Sequence, residues 1–418
     1  MKIQKPIKSL FCISLCSLLL SIAPLAAQEQ ETEEPTAPHI LRVWFPDILT
    51  GTQSTQVLNI LQAQIDDFTA EHPEISIDLR VKVAGDPGSA TTGGILSTMY
   101  AAAPVAPNAL PDLILLRRGD IIALEDENLV YPLNNRVPDA ILEDIPESVS
   151  RLGILNETTY GLPYSLEVKH FVYDPSVFNI SQWTFENVLE ADQPFVFPAG
   201  RTNIISDTLL VQYLTSAGGN VSFENGLAID QASLRDVLRF YEEASLNGQI
   251  NEDSLLYTTQ DDYIAELASG DIPLGLLTSS RYLQLRSFDY DLAYAPIPTE
   301  SGMEATVVES WMWALTTSDT EEQAVALEFM AWMMDPERQN ELLLQVNMLP
   351  SQRTALSQVE DQAYVNFVTN LLTNAYIPAT ESSLGTSARV IQSALAAVIT
   401  QQRTADEAAQ DVINQLAG

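Results

Sequence analysis

Between His39 and Leu116 the chain alternates two hydrophobic periods, and this constrains its fold more than any other feature. His39-Ile-Leu-Arg-Val-Trp-Phe45 reads as a strand, and a helical run follows. Ile75, Ile77, Leu79 and Val81 then alternate with polar residues, and Leu113 to Leu116 is a short, wholly apolar run. In the run between the first two strands, Leu58, Leu61, Ile65 and Phe68 fall on one helical stripe, whereas the period-two segment is that of a half-buried strand. Pro73 prevents the helix from continuing. Strands separated by helices of this length imply a parallel sheet with crossovers, not a meander. Ligands of such sheets gather beyond the carboxyl ends of the strands, which directs attention to the loops after Phe45, Val83 and Leu116.

The rest of the chain continues the α/β pattern. Gly161 to Tyr173 is β-rich and runs through Asp174-Pro175 into a segment containing Trp183. Asp230 caps a helix with the stripe Leu234, Val237, Leu238 and Tyr241, which Asn247-Gly248 ends. Leu292 to Pro298 leads to a strand from Thr306 to Leu315 that carries Trp311 and Trp313. Asp319 and Glu322 start a helix bearing Ala324, Leu327 and Met330, and Asp335-Pro336 breaks it. Thr404 and Glu407 have capping-box spacing before Ala408, Val412 and Ile413.

The first residues indicate export. Lys2, Lys5 and Lys8 precede the apolar run Leu10 to Pro24, and the small residues Ala26 and Ala27 precede Gln28, so residues 1–27 read as a signal peptide. An uncleaved anchor is the alternative, and so is lipidation at Cys16, although Leu15 is bulkier than such sites prefer. Both cysteines, Cys12 and Cys16, lie in this segment, so the exported chain is expected to carry no disulfide despite an oxidising destination. Residues 28–38, rich in Gln, Glu, Thr and Pro, read as a flexible acidic tether.

The remaining length of about 390 residues exceeds what one core usually supports, so two lobes are expected. Losing three lysines with the signal takes the formal charge from -36 to -39. Such a surface repels nucleic acid and anionic lipid, excluding both as partners, and favours a soluble monomer. The acidic run Glu125-Asp126-Glu127 lacks the spaced ligands and central glycine of a calcium loop. No metal or cofactor is expected.

Several motifs, in this order, resemble one family. They are Val43-Trp-Phe with Glu71-His-Pro-Glu-Ile, Pro111-Asp-Leu-Ile-Leu, and Gly161-Leu-Pro-Tyr-Ser-Leu-Glu followed by Phe-Val-Tyr-Asp-Pro. Ala217-Gly-Gly219, Leu267-Ala-Ser-Gly-Asp271, Ala295-Pro-Ile-Pro298, Phe329 to Glu337 and Leu349-Pro350 follow. The chain resembles the extracellular solute-binding proteins of sugar-type ABC importers, the group that includes the maltose and glycerol-phosphate binders. The resemblance implies a type II clamp: two α/β lobes, each with a mixed, mainly parallel sheet, closing on a ligand about interlobe strands. It implies crossings near Leu166 to Lys169 and Val307 to Trp311. Residues 39–166 plus 310–334 would then form the first lobe, and 167–309 plus 335–418 the second. It further implies capture of a carbohydrate for membrane permease subunits, or alternatively for a membrane sensor. Glu167 matches the family's cleft-lining acid, and Trp311 its cleft-crossing strand.

A sugar is held by flat aromatic faces and a few polar groups for its hydroxyls. The aromatic candidates are Trp44, Tyr164, Trp183, Trp311 and Tyr376, each of which also suits a packed core; Trp313 should face the same side as Trp311, and Trp332 should be core. Arg117, Arg118 and Asp120 follow the third strand, where Arg could hold an anionic solute or offset the acidic surface. Thr278, Ser279 and Ser280 offer hydroxyls. The loop Gly85 to Gly94 lacks the Gly-Lys-[Ser/Thr] of a nucleotide cradle and reads as a cleft-rim turn. Glu309 and Ser310 stand where many relatives have glycine, making the cleft more crowded and acidic. Glu167 and Glu309 could in principle form a glycosidase pair. With only His39, His72 and His170, no Cys in the exported chain and no Gly-x-Ser-x-Gly, the other hydrolytic mechanisms have little to build on.

Overall fold

The helical spacers force the first strands into a parallel arrangement: β1 (His39–Pro46) lies between β2 (Ile75–Lys82) and β3 (Leu113–Leu116), parallel to both. The structure is a computed structural model that describes residues 38–50, 54–85, 88–202, 204–219, 229–378 and 381–417. The expected signal peptide, almost all of the tether, and both cysteines lie outside these residues. Among the described residues no helix is long and apolar enough to cross a membrane, and no group of acids and histidines could hold a metal ion.

A small hairpin, β4 (Ile154–Leu155) and β5 (Thr158–Thr159), precedes β6 (Leu162–Pro163) and the long β7 (Ser165–Tyr173). Then come β8 (Leu274–Thr278), β9 (Ala293–Ala295), β10 (Thr306–Glu309), β11 (Met312–Leu315), β12 (Leu349–Pro350) and β13 (Ala375–Tyr376). The first sheet has the order β2-β1-β3-β11-β6, and the second is built on β12-β7-β10-β13 with β8 and β9 also paired to β7. The second sheet departs from the mainly parallel expectation. All pairings of β7 are antiparallel, and among the described residues β10 with β13 is the sheet's only parallel strand pair. The motifs between Gly161 and Leu315 bring the chain back beside β7 in the opposite direction instead of by helical crossover.

Two apolar cores support these sheets. The larger contains β1, β3 and β11, with Leu113 to Leu116 all fully buried, and extends through β7 to the helix Gln362–Leu371. The second lies beneath the helices Gln231–Leu246, Glu381–Ile399 and Ala405–Leu416, where Phe185, Phe195 and Phe240 stack. Each such aromatic or branched side chain contributes roughly 1.5–3 kcal/mol on burial. The caps form as the residue types require: Asp230 accepts from Ser233 N–H at 2.7 Å, and Thr404 with Glu407 closes a capping box. The stripe on the helix Ser54–Glu71 is Val57, Leu61, Ile65 and Phe68, with Leu58 turned outward, because the buried face follows the 3.6 period from Leu61. The later helix Thr320–Met333 buries Ala326, Phe329 and Met330 and leaves Ala324 exposed. β2 is an edge strand, so Val81 stays exposed.

The chain passes between the sheets at three adjacent points. Tyr164 links β6 to β7, Ser310 and Trp311 link β10 to β11, and Ser351 follows β12. Backbone N–H groups of Tyr164 and Ser165 donate to the Trp311 carbonyl at 2.8 and 3.3 Å, and Ser310 Oγ donates to Ser165 O at 2.6 Å. Ser351 N–H donates to Tyr164 O at 3.2 Å. Side-chain and backbone bonds therefore lash the crossing segments together, and this crossing forms the waist at which the two lobes meet.

Candidate ligand-binding site

The ends of β1, β2 and β3 open onto a cavity of about 880 Å³ at this waist. Asp47, Ile48, Val83 to Gly85 and Arg117 line it from the first sheet, as the topology of a parallel sheet requires. Ser165, Glu167, Glu309, Ser310 and Trp311 form its floor on the crossing strands. The opposite wall is the helix Ser279–Ser287, supplemented by Gln260 and Asp261. A smaller cavity of about 660 Å³, between Glu147 and Thr373, lies among other helices and has none of this convergence.

Glu167 and Glu309 are opposite each other across the antiparallel β7–β10 ladder. Like charges so placed repel. Burial pushes the Glu167 carboxyl above the usual carboxylate range, and Glu309 pushes it further; the hydroxyl of Ser280, which donates to Glu167, partly opposes them. Two residues along the same face, Lys169 bridges Asp207 at 2.5 Å and Glu309 at 3.1 Å. Burial works against the Lys169 charge, but those two carboxylates outweigh it and hold the ammonium above its ordinary value. Asp207 is kept low, against its own burial, by Lys169 and Arg201. On the floor, Lys169 is thus paired with Asp207 and Glu309, and no cation bridges Glu167 among the described residues.

Trp311 is only 5% exposed. The Arg117 guanidinium covers its ring at 4.8 Å from the centroid. Arg117 is itself held by Gly85 O at 2.6 Å and by Asp120, which also accepts from Gly88 N–H at 2.8 Å. Asp120 is therefore a positioning residue behind the cavity; burial raises its carboxyl, with Arg117 opposing.

Of the other expected candidates, Thr278 stays bonded to the floor through Ser280 at 3.1 Å, and the rest lie apart from it. Arg118 turns away and donates to the carbonyls of Arg151, Leu152 and Ile154, so of the two arginines only Arg117 reaches the cavity. Successive residues at the start of a helix point about 100° apart. Trp44 is buried in the first core with Lys82 over its ring, and Trp183 packs on Tyr173 and Phe178 in the second. Tyr164 is fully buried against Trp313, with no partner for its hydroxyl. Tyr376 reaches the Leu214 carbonyl at 3.4 Å. Ser279 is also fully buried and accepts from Val168 N–H, while Thr278 caps the following helix and exchanges bonds with Gln260. Neither lines the cavity; Ser280 does. Trp313 does not share the side of Trp311: it is fully buried against Phe45, Tyr164 and Phe329, because Trp311 belongs to the crossing and the strand's alternation begins only at Met312. Trp332 is half-buried under Arg338 and donates to Gln64 O.

The sequence reading did not single out Asp47, Gln260, Asp261, Arg281 and Gln284. Asp47 stands in a loop the strand pattern had marked. The others come from a helix face and a distant loop, for which no local signal exists.

A two-lobe α/β fold with a charged cavity at the strand crossing defines a binding protein of the clamp class. Residues 63–369 match the model of the bacterial extracellular solute-binding proteins, and the chain belongs to that family. Its members act outside the cytoplasm and bind solutes rather than transform them. No curated protein sequence matches the chain. Among solved structures it is similar to maltose-bound MalE3 of T. maritima, at 16% identity and a TM-score of 0.68 over 90% of this chain and 99% of that one. It is also similar to the cyclic alpha-maltosyl-1,6-maltose binding protein of Arthrobacter globiformis, at 15% identity and a TM-score of 0.71 over 91% and 98%. A third is the sugar-binding protein MalE of Xanthomonas citri, at 14% and 0.69 over 90% and 96%. At these identities the likeness is one of fold.

Proposed function

We propose that the protein captures a carbohydrate in the waist cavity and presents it to ABC permease subunits, acting as a monomer exported by residues 1–27. The observation that carries this reading is the floor: Trp311, Glu167, Glu309 and Ser280 meet where the chain crosses between sheets. A carboxylate accepts paired hydroxyls there, and closure desolvates them. The sugar-binding neighbours in structure support the solute class. On this reading one lobe holds β1 to β6 with β11, and the other holds β7 to β10 with β13. The helix Pro336–Leu343 goes with the first lobe, since Gln64 bonds to Arg338 and Glu341. Trp311 and Glu309 contribute directly to the site, with Arg117 above them.

Delivery to a membrane sensor would use the same clamp. Hydrolysis would need its two carboxylates on opposite sides of the scissile bond; Glu167 and Glu309 instead project side by side from adjacent strands. The test is a thermal-shift screen of the purified protein with mono- and oligosaccharides, followed by X-ray scattering with the best ligand. A saturating sugar at about 100 times its dissociation constant should add roughly 2.7 kcal/mol and make the protein more compact. A sugar returned hydrolysed, or no shift with any sugar, would overturn the proposal.

A further inference from the structure

Trp311 offers a ligand little flat surface, being 5% exposed with Arg117 over its ring. The cavity contains another aromatic group that is open. Phe288 directly follows the helix Ser279–Ser287, lines the same cavity and is 66% exposed. Four residues after Gln284, it continues the cavity-facing side of that helix rather than the side buried through Tyr282 and Leu285. Phe288 is the C-cap, and Asp289 turns left-handed with φ 62°.

The helix presents Ser280, Arg281, Gln284, Ser287 and Phe288 to the cavity, spaced as one face of a 3.6-residue helix. Ser280 touches Glu167 on the floor, and Phe288 lies eight residues on, about 12 Å away at 1.5 Å per residue. Across the cavity, from the first sheet, Ile48 is 51% and Val83 52% exposed. Single exposed apolar groups are ordinary. Three around one mouth, in a cavity whose floor is polar, form an apolar rim.

Resting on the carbohydrate reading, we propose that Phe288 is an aromatic platform for the solute and that the cavity takes an oligosaccharide of at least two rings. One end lies on the floor beside Glu167 and Ser280, and the apolar C–H face of a further ring covers Phe288. Titration calorimetry of the purified protein with glucose, mannose, maltose, maltotriose, cellotriose and mannotriose tests this. One series should bind, more tightly as trisaccharide than as monosaccharide. Phe288→Ala should weaken that trisaccharide about two- to tenfold, as for loss of one aromatic contact, with unchanged melting in the absence of sugar. Phe288→Trp should restore affinity and change its fluorescence on binding. Equal affinity for mono- and trisaccharide, or a Phe288→Ala protein that binds trisaccharide like the wild type, overturns the platform and leaves the carbohydrate reading intact. A wild type that binds no sugar overturns both.

Discussion

The two faces of β7 carry ionisable residues three positions apart that meet opposite fates. Glu167 projects to the cavity floor, where burial and Glu309 raise its carboxyl and Ser280 and Lys169 only partly compensate. His170 projects to the other face, is fully buried, bonds to Tyr364 and packs edge-on to Tyr282 and Phe367. Burial lowers its pKa to about 4, so it is neutral at physiological pH. One face retains unresolved charge and the other removes it. A perturbed carboxyl lining a cavity supports the proposed binding face; a neutralised, fully bonded group belongs to packing.

The largest expected effect tests the division between packing and site. Trp313→Ala should cost about 3–5 kcal/mol of stability in urea unfolding, because Trp313 fills the first core. Trp311→Ala, two residues earlier, also removes a buried ring and should cost stability too, but it alone should weaken sugar binding tenfold or more, about 1.4 kcal/mol. If both variants keep wild-type affinity for sugar, the crossing does not separate the two tryptophans.

Glu167→Gln sharpens the contrast on the floor itself. Losing a charged acceptor should weaken binding roughly tenfold or more, at about 1.5–3 kcal/mol per bond. Its stability effect should run the other way. A carboxyl whose folded pKa is raised contributes most below its unfolded value near 4.3 and loses that contribution as pH rises through the folded value. At neutral pH the variant should therefore melt higher than the wild type, and the difference should close towards pH 4. A variant that melts lower at pH 7 would show that Glu167 is a structural anchor.

The smallest effect belongs to His170. Its folded pKa is depressed, so the stability linked to it is present above about 6.5 and is lost as pH falls towards about 4. NMR titration should show the His170 ring unprotonated and flat from pH 8 to 5. A midpoint near 6.5 would place this face in contact with solvent and dissolve the comparison.

Much of this was legible before the structure. The loops after Phe45, Val83 and Leu116 do line the cavity, since residues after parallel strands emerge at the same sheet end. What the pattern did not resolve was near neighbours: Arg117 lines the cavity and Arg118 does not, Ser280 does and Ser279 does not, and Trp313 turns from the side of Trp311 instead of sharing it. Each pair sits where a strand or helix begins or where the chain changes sheet, and there the phase of an element is not yet established. Phe288 lies in no motif and after no strand, so no local signal marked it.

The sequence by itself determined the order of strands and helices, the parallel pairing of β1 to β3, the helix caps and the family, because these depend on periodicity and short-range backbone chemistry. Only the tertiary structure decided which side chains share the cavity. The antiparallel return of β10 places Glu309 against Glu167, and the helix after β8 brings Ser280 and Phe288 to a wall facing loops some two hundred residues earlier in the chain. Those contacts arise from packing between distant segments, whose free energy no local pattern records.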